Sequence, residues 1–182
     1  MILHYDEFRS PIGRILYVSD EDAVCALYFA DYEDRLQASL ARRFGNFTLR
    51  RGSDPLNLKQ RLGDYFKGDL HAFDRIQAST GGTPFQERVW TALREIPPGK
   101  TWSYGQLAAR LDRPQAARAV GHANSLNPVS IILPCHRVIG ASSALVGYGG
   151  GLERKQWLLR HEGALPLSLD LQDRRHSITA TA

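Results

Sequence analysis

The sequence predicts an α/β N-terminal domain over residues 1–80, a small antiparallel sheet with helices. A mainly helical C-terminal domain over 81–163 follows, and then an extension, 164–182. Three observations predict this division. The first 30 residues read as strands set between turn signals. The segment after Thr83 carries helix start signals in quick succession. Between the two, "ASTGGT" breaks the pattern, and the boundary falls there. A chain of 182 residues is long enough to bury a sizeable core in this arrangement.

Within the first part, "ILHYDEF" and "RILYVS" flank the turn "SPIG", and "AVCALYF" follows "SDED". "YEDRLQASLARRF" places Leu36, Leu40 and Phe44 at helical spacing. "SDPLNLKQRLGDYFKG" reads as a second helix, with Asp54 as its cap and Pro55 at its first position. No catalytic cluster stands out in this half. Cys25 reads as a core residue of its strand.

In the second part, Thr83 caps "TPFQERVWTALREI", Pro84 occupies the first turn and Gln86 completes a capping box. Phe85, Val89, Trp90 and Leu93 form the expected buried face, and "PPGK" ends the helix. Ser103 and Gln106 repeat the same cap relation in "SYGQLAARL", and Pro114 opens "PQAARAVGHANSL". These short helices, separated by a turn of about three residues, fit either insertion into a DNA groove with Arg118 projecting or a plain helical hairpin. "NP" at Asn127–Pro128 is a turn, "VSIIL" a short buried strand, and "GASSALVGYGGG" a loop able to approach a ligand closely. "LERKQWLLRHEG" closes the domain as a helix with Leu152, Trp157 and Leu158 inward and Gly163 as its stop. The remainder, "ALPLSLDLQDRRHSITATA", has no clear period and is expected to be a partly ordered extension.

Composition narrows the class. No apolar run is long enough to cross a bilayer, and "MILHYDEFRS" lacks the basic-then-apolar pattern of a secretory signal. Two cysteines do not make a disulfide scaffold and fit a reducing compartment. The net charge of +4 is unevenly placed. Residues 1–83 carry 11 Lys/Arg against 12 Asp/Glu, residues 84–162 carry 10 against 5, and the last 20 carry 2 against 2. The positive surplus therefore belongs to the second part, compatible with a polyanionic partner.

"ILPCHRVIG" is the reactive-looking stretch of that part, with Cys135 and His136 adjacent. A metal site would need ligands at suitable spacing, and none is near: His122 and His161 remain, with Cys25 and His4 far off, and no C-x-x-C appears. Disulfide exchange would need a second nearby thiol, and a cysteine hydrolase would need a sharp backbone turn to bring the histidine across the sulfur. An inert pair of buried side chains and a thiol that attacks an electrophile and keeps the product both stay open. In the last case Pro134 would fix the direction of the sulfur, His136 would relay its proton, and Glu162 in "RHEG" is the first carboxylate to test as the orienting group.

"PCHRV", "FQERVWTALREIPPGKTWSYGQLA", "RPQAARAVGHANSLNP" and "GYGGGLERKQWLLRHEG" together resemble the O6-alkylguanine-DNA alkyltransferase family, nearly continuously from Thr83 to Gly163. The N-terminal 80 residues resemble that family's variable companion domain only loosely. The resemblance implies a winged helix-turn-helix and a single-turnover repair protein. Such a protein flips O6-alkylguanine, and O4-alkylthymine, from duplex DNA and takes the alkyl group onto its own cysteine. It also implies a monomer in the cytoplasm, on the nucleoid when bound, with no cofactor or metal, and leaves cooperative binding on DNA open.

Carried over by position, Cys135 is the acceptor, and His136 and Glu162 complete a Glu–His–water–Cys relay. Asn127 braces the turn beside the active-site segment, and Tyr104 crowds the phosphate and hydrogen-bonds the base. Arg118 fills the vacated stack, while Tyr148 and Gly149 lie in the loop lining the alkyl pocket. Ser130 stands where some relatives have proline, and Gly121 and His122 stand where members often have other small residues. The surface of its helix is the expected place for His122. The first half lacks the cysteine cluster of the adaptive-response fusion proteins, which argues against a transcription-activating role. A non-repairing recognition protein would lack Cys135, and a winged-helix regulator with an incidental cysteine is the remaining rival.

Overall fold

The computed structural model describes residues 1–141 and 143–166; the extension from residue 167 onward lies outside the described residues. Strands β1 (Ile2–Ser10), β2 (Gly13–Ser19) and β3 (Ala23–Phe29) form an antiparallel meander. Its first turn is closed by Ser10, whose Oγ donates to the Gly13 carbonyl at 2.6 Å and accepts from Ile12 N at 3.2 Å. Helix α1 (Glu33–Phe44) then crosses over and delivers β4 (Thr48–Arg51) parallel to β1. After α2 (Leu58–Phe66), β5 (Gln77–Ala78) joins the other edge parallel to β3, giving the order β4-β1-β2-β3-β5.

The sheet is therefore mixed, which corrects the antiparallel expectation. Helical crossovers return the chain in the same direction, and the edge strands "TLRR" and "QA" are too short and polar to show a period of two.

Both faces of this sheet are covered, so β2 is buried at every position from Ile15 to Ser19. Leu16 and Val18 point to α1, where they meet Leu36 and Leu40. Ile15 and Tyr17 point the other way, to Leu58, Leu62 and Tyr65 of α2. The register shift between Val18 and Ser19 leaves Cys25 as an extra residue in β3, and Cys25 and Ala26 both join the α1 side. Cys25 is thus a core residue, as expected.

Helices α3 (Pro84–Leu93), α4 (Tyr104–Arg110), α5 (Ala117–Ser125) and α6 (Leu152–His161) gather against the α2 side. One continuous core joins Leu27 and Phe29 of the sheet to Val89, Trp90, Leu93, Val120, Ala123 and Leu158. Full burial of a leucine such as Leu93 contributes about 1.5–3 kcal/mol. Both capping boxes form: Thr83 with Gln86 on α3, and Ser103 with Gln106 on α4. A two-stranded parallel pair, β6 (Trp102–Ser103) with β7 (Val138–Ile139), ties the start of α4 to the segment just beyond His136.

Five local expectations change. Asp54 does cap, accepting from Leu58 N and Lys59 N at 2.7 and 2.8 Å, but α2 begins at Leu58 after a turn that puts Asn57 at φ 54°. Pro114 opens a 3-10 turn, Pro114–Ala116, and the α-helix starts at Ala117. "VSIIL" is buried but is not a strand: only Val129 bridges to Leu27, and Ile131 takes φ 70°, which breaks any extended run. On α6, Leu152 is 43% exposed, and Lys155 takes the inward position beside Leu158 and Leu159. Phe85 is only half-buried, at the rim of the core. Gly163 ends α6 with φ +76°, a conformation open to glycine.

Candidate active site

Cys135 opens a 3-10 turn, Cys135–Arg137, entered from Pro134 at ψ 63°. That bend makes room for two asparagines to hold the segment from behind. Asn124 Nδ2 donates to the Cys135 carbonyl at 3.2 Å, and Asn127 Nδ2 donates to the Leu133 carbonyl at 2.8 Å. Asn127 Oδ1 accepts from Val129 N at 3.0 Å, which fixes the turn between α5 and the cysteine. The sheet holds the other side of that turn. Leu27 N donates to the Pro128 carbonyl at 2.9 Å, and Ser130 N donates to the Leu27 carbonyl at 3.2 Å. The first half of the chain is therefore a wall of the site.

Cys135 is 3% exposed and His136 is fully buried. His136 Nε2 lies 3.0 Å from Glu162 Oε1. Glu162 sits at the end of α6, where Arg137 grips both its oxygens, Nε to Oε2 at 2.8 Å and Nη2 to Oε1 at 2.9 Å. Arg137 Nη1 reaches the Ile96 carbonyl at 2.6 Å, and Tyr65 Oη donates to Glu162 Oε1 at 2.8 Å.

Burial opposes the charge on Glu162, but His136 and then Arg137 outweigh it and hold the carboxyl well below the usual range. Burial pushes the His136 pKa down, against the pull of Glu162, so the imidazole is neutral near pH 7. With its Nε2–H directed to Glu162, the neutral ring keeps Nδ1 as an acceptor, and Nδ1 is buried without a hydrogen-bond partner among the described residues.

Burial pushes the Cys135 thiol up, while the Asn127 amide and the Lys155 ammonium pull it down. The group at rest is a thiol, and its proton must leave as the sulfur reacts. Lys155 is fully buried, with its pKa lowered to about 8 by burial. Its Nζ donates to the carbonyls of Val138, Val146 and Gly147 at 2.5, 2.8 and 3.1 Å, tying the glycine-rich loop to the cysteine segment. Tyr104, first residue of α4, donates to the Val146 carbonyl at 3.2 Å from the other side.

Burial and then the neighbouring Cys135 raise the Tyr104 hydroxyl pKa, so it stays a donor. The Tyr148 hydroxyl is buried, and burial followed by Cys135 raises its pKa well above the ordinary value. Ser130 is buried beside both Cys135 and Tyr148, and its hydroxyl lowers the pKa of each.

The structure thus brings Cys135, His136, Glu162, Tyr104, Asn127, Ser130 and Tyr148 together. Arg118 stands apart, exposed in the first turn of α5, and His122 is exposed on the same helix. Gly149 lines a neighbouring cleft of 490 Å³ with Asn127, Ser130 and Arg35. The glycine that geometry demands is the next one. A Cβ on Gly150 would lie 2.6 Å from the Tyr148 ring and 2.7 Å from the Phe29 ring. Among the described residues, no group of His, Cys, Asp and Glu is arranged to hold a metal.

Sequence reasoning missed Tyr65, Asn124, Arg137 and Lys155. Lys155 carried a usable signal, because it falls on the apolar stripe three and four residues before Leu158 and Leu159. Arg137 adjoins the Cys–His pair, whereas nothing local marks Tyr65, which is 97 residues from its partner Glu162.

Residues 84–164 match the family model described as 6-O-methylguanine DNA methyltransferase, DNA binding domain. A Salmonella typhimurium protein named methylated-DNA–protein-cysteine methyltransferase is 48% identical over 165 residues, covering 89% of this chain and 96% of the relative. A Mycobacterium leprae protein of the same name is 58% identical over 163 residues, covering 88% and 93%. Among solved structures, Mycobacterium tuberculosis OGT in complex with DNA has a TM-score of 0.74 at 40% identity, covering 90% of this chain and 94% of that one. The O6-methylguanine-DNA methyltransferase of Pyrococcus kodakaraensis has a TM-score of 0.70 at 27% identity, covering 88% and 99%. The similarity extends well beyond the cysteine segment and takes in most of the first 80 residues. On these grounds the chain belongs to the methylated-DNA–protein-cysteine methyltransferase family.

Proposed function

We propose that this chain repairs DNA by moving the alkyl group of O6-alkylguanine onto Cys135, once per molecule. The observation that carries the reading is the buried Glu162–His136 pair beside a buried thiol, with Nδ1 of the ring left to accept a proton. As sulfur attacks, the thiol proton passes through a water to His136 Nδ1, and Glu162 stabilises the imidazolium that forms. The S–C bond forms while the C–O6 bond breaks, and the electron pair leaves with the guanine. Tyr104 Oη then turns from the Val146 carbonyl to donate to the departing base. The thioether has no acid–base route back, so the cysteine is consumed. O4-alkylthymine offers the same saturated carbon on an exocyclic oxygen and is the second substrate.

Helices α4 and α5, joined through Leu111–Ala116, act as a winged helix-turn-helix, and the exposed Arg118 enters the stack as the base flips into the pocket. Tyr148 and Ser130, beside Cys135, shape the alkyl pocket, and Gly149 lines the adjoining cleft with Ser130. Backbone contacts dominate binding because damage falls at any guanine. The work is done in the cytoplasm by a monomer on DNA.

Cys135→Ser is the variant that separates this reading from a DNA-binding regulator. Alkyl transfer should disappear while duplex affinity stays close to that of the unaltered protein. A variant that still removes the alkyl group from the duplex would overturn the assignment of the acceptor.

A further inference from the structure

Tyr65 belongs to the half of the chain that carries no reactive group, yet its hydroxyl reaches the carboxylate behind His136. Its position is imposed twice. The ring is fully buried on α2, with centroids 5.2 Å from Phe66, 5.3 Å from Phe73 and 5.1 Å from His161. Its own carbonyl lies 2.7 Å from His161 Nε2, next to Glu162 in sequence. A residue held at its ring and at its main-chain carbonyl keeps its hydroxyl on Glu162 at little further entropic cost.

Glu162 Oε1 is crowded. His136 Nε2 at 3.0 Å, Arg137 Nη2 at 2.9 Å and Tyr65 Oη at 2.8 Å converge on it, while among the described residues Oε2 receives only Arg137 Nε. A carboxylate oxygen has about two lone-pair directions, so three donors compete for its charge. From this competition we infer that Tyr65 is a positioning residue for alkyl transfer, holding Glu162 Oε1 and limiting how strongly it pulls a proton onto His136. The inference rests on the proposed alkyl-transfer chemistry only for its consequence; the contact itself concerns the resting protein.

The other titratable or charged groups facing Tyr65, Glu162 and His136 are Arg137, Cys135, Lys155 and His161 from α6, and Tyr148 from the glycine-rich loop. None of them depends on the Tyr65 hydroxyl for its place. Burial, and then Glu162, raises the Tyr65 pKa well above the ordinary value, so the hydroxyl remains a donor throughout the working range. Deleting it should let Glu162 hold the imidazolium more tightly. His136 would then be protonated at higher pH, and the base would be lost sooner as the solution is acidified.

The test is the NMR titration of His136 in the full-length resting protein, with the pH dependence of methyl transfer from an O6-methylguanine duplex measured alongside. In Tyr65→Phe, which keeps the ring, the His136 pKa should rise by about half a unit to one unit, and the acid limb of the rate profile should move with it. Site-specific 3-fluorotyrosine at position 65 keeps ring and hydroxyl but donates more strongly, and should move both the other way. Tyr17→Phe removes a buried hydroxyl that does not touch Glu162, and should move neither. An unmoved His136 titration in both position-65 variants would overturn the inference, as would a loss of rate that is equal at every pH. If the unaltered protein accepts no methyl group, the transfer reading fails instead, and the His136 titration still judges the contact.

Discussion

Arg137 and Glu162 form a bidentate pair inside the core, with nitrogen–oxygen distances of 2.8 and 2.9 Å and side-chain exposures of 9% and 0%. Two parallel hydrogen bonds fix the plane of the carboxylate, which in turn fixes the edge of His136 that it faces. The third guanidinium nitrogen, on the Ile96 carbonyl, ties the pair to the chain just after α3.

Breaking such a pair leaves a buried charge uncompensated. Arg137→Ala should destabilise the fold by about 3–5 kcal/mol, read as the shift in a chemical-denaturation midpoint. Arg137→Lys keeps the charge but not the fork, and should recover only part of the loss. A midpoint unchanged in the alanine variant would contradict the geometry of the pair.

Two groups in this cluster make stability fall with acid, in successive windows. The folded-state pKa of His136 is lowered, so below the ordinary histidine range the unfolded chain binds a proton that the fold refuses. The folded-state pKa of Glu162 is also lowered. Its contribution is whole above the ordinary carboxylate range and is lost as pH falls through that range toward the folded-state value. Thermal unfolding should therefore show Tm falling from pH 7 to 5 and falling further below pH 4.5. In His136→Gln the first decline should disappear, and the second should shrink to the part that Arg137 sustains. An identical first decline in that variant would remove His136 as its source.

Arg118 is exposed in the first turn of α5, and the proposed function assigns it to opening the duplex rather than to the transfer step. Arg118→Ala should slow transfer from duplex DNA by far more than transfer from a free O6-alkylguanine base, measured as second-order rate constants on the two substrates. Equal losses on both would contradict the wedge role.

What was legible in the sequence was local. The capping boxes at Thr83 and Ser103 involve residues three apart, and both formed as read. The strands of the meander were visible because turn signals bracket them. The edge strands were not, because "TLRR" and "QA" owe their pairing to crossovers made elsewhere in the chain. "VSIIL" misled for a related reason. Its apolar residues are buried as a strand's would be, but Ile131 takes φ 70°, which breaks the extended run ahead of the Cys135 turn. Cys135, His136 and Glu162 could be picked out as candidates by chemistry alone, with an inert reading of the pair still open, and the family resemblance gave them their roles. Tyr65 could not, since a tyrosine on an amphipathic helix reads as core, and only the fold brings its hydroxyl to a carboxylate 97 residues away.

The central claim is that Cys135 ends covalently bound to the alkyl group. The direct measurement is the intact mass of the protein after incubation with a duplex containing O6-methylguanine, followed by peptide mapping. The account predicts a gain of one methyl group per chain, located on Cys135 and absent in Cys135→Ser. An unchanged mass, or a methyl group on any other residue, would contradict it.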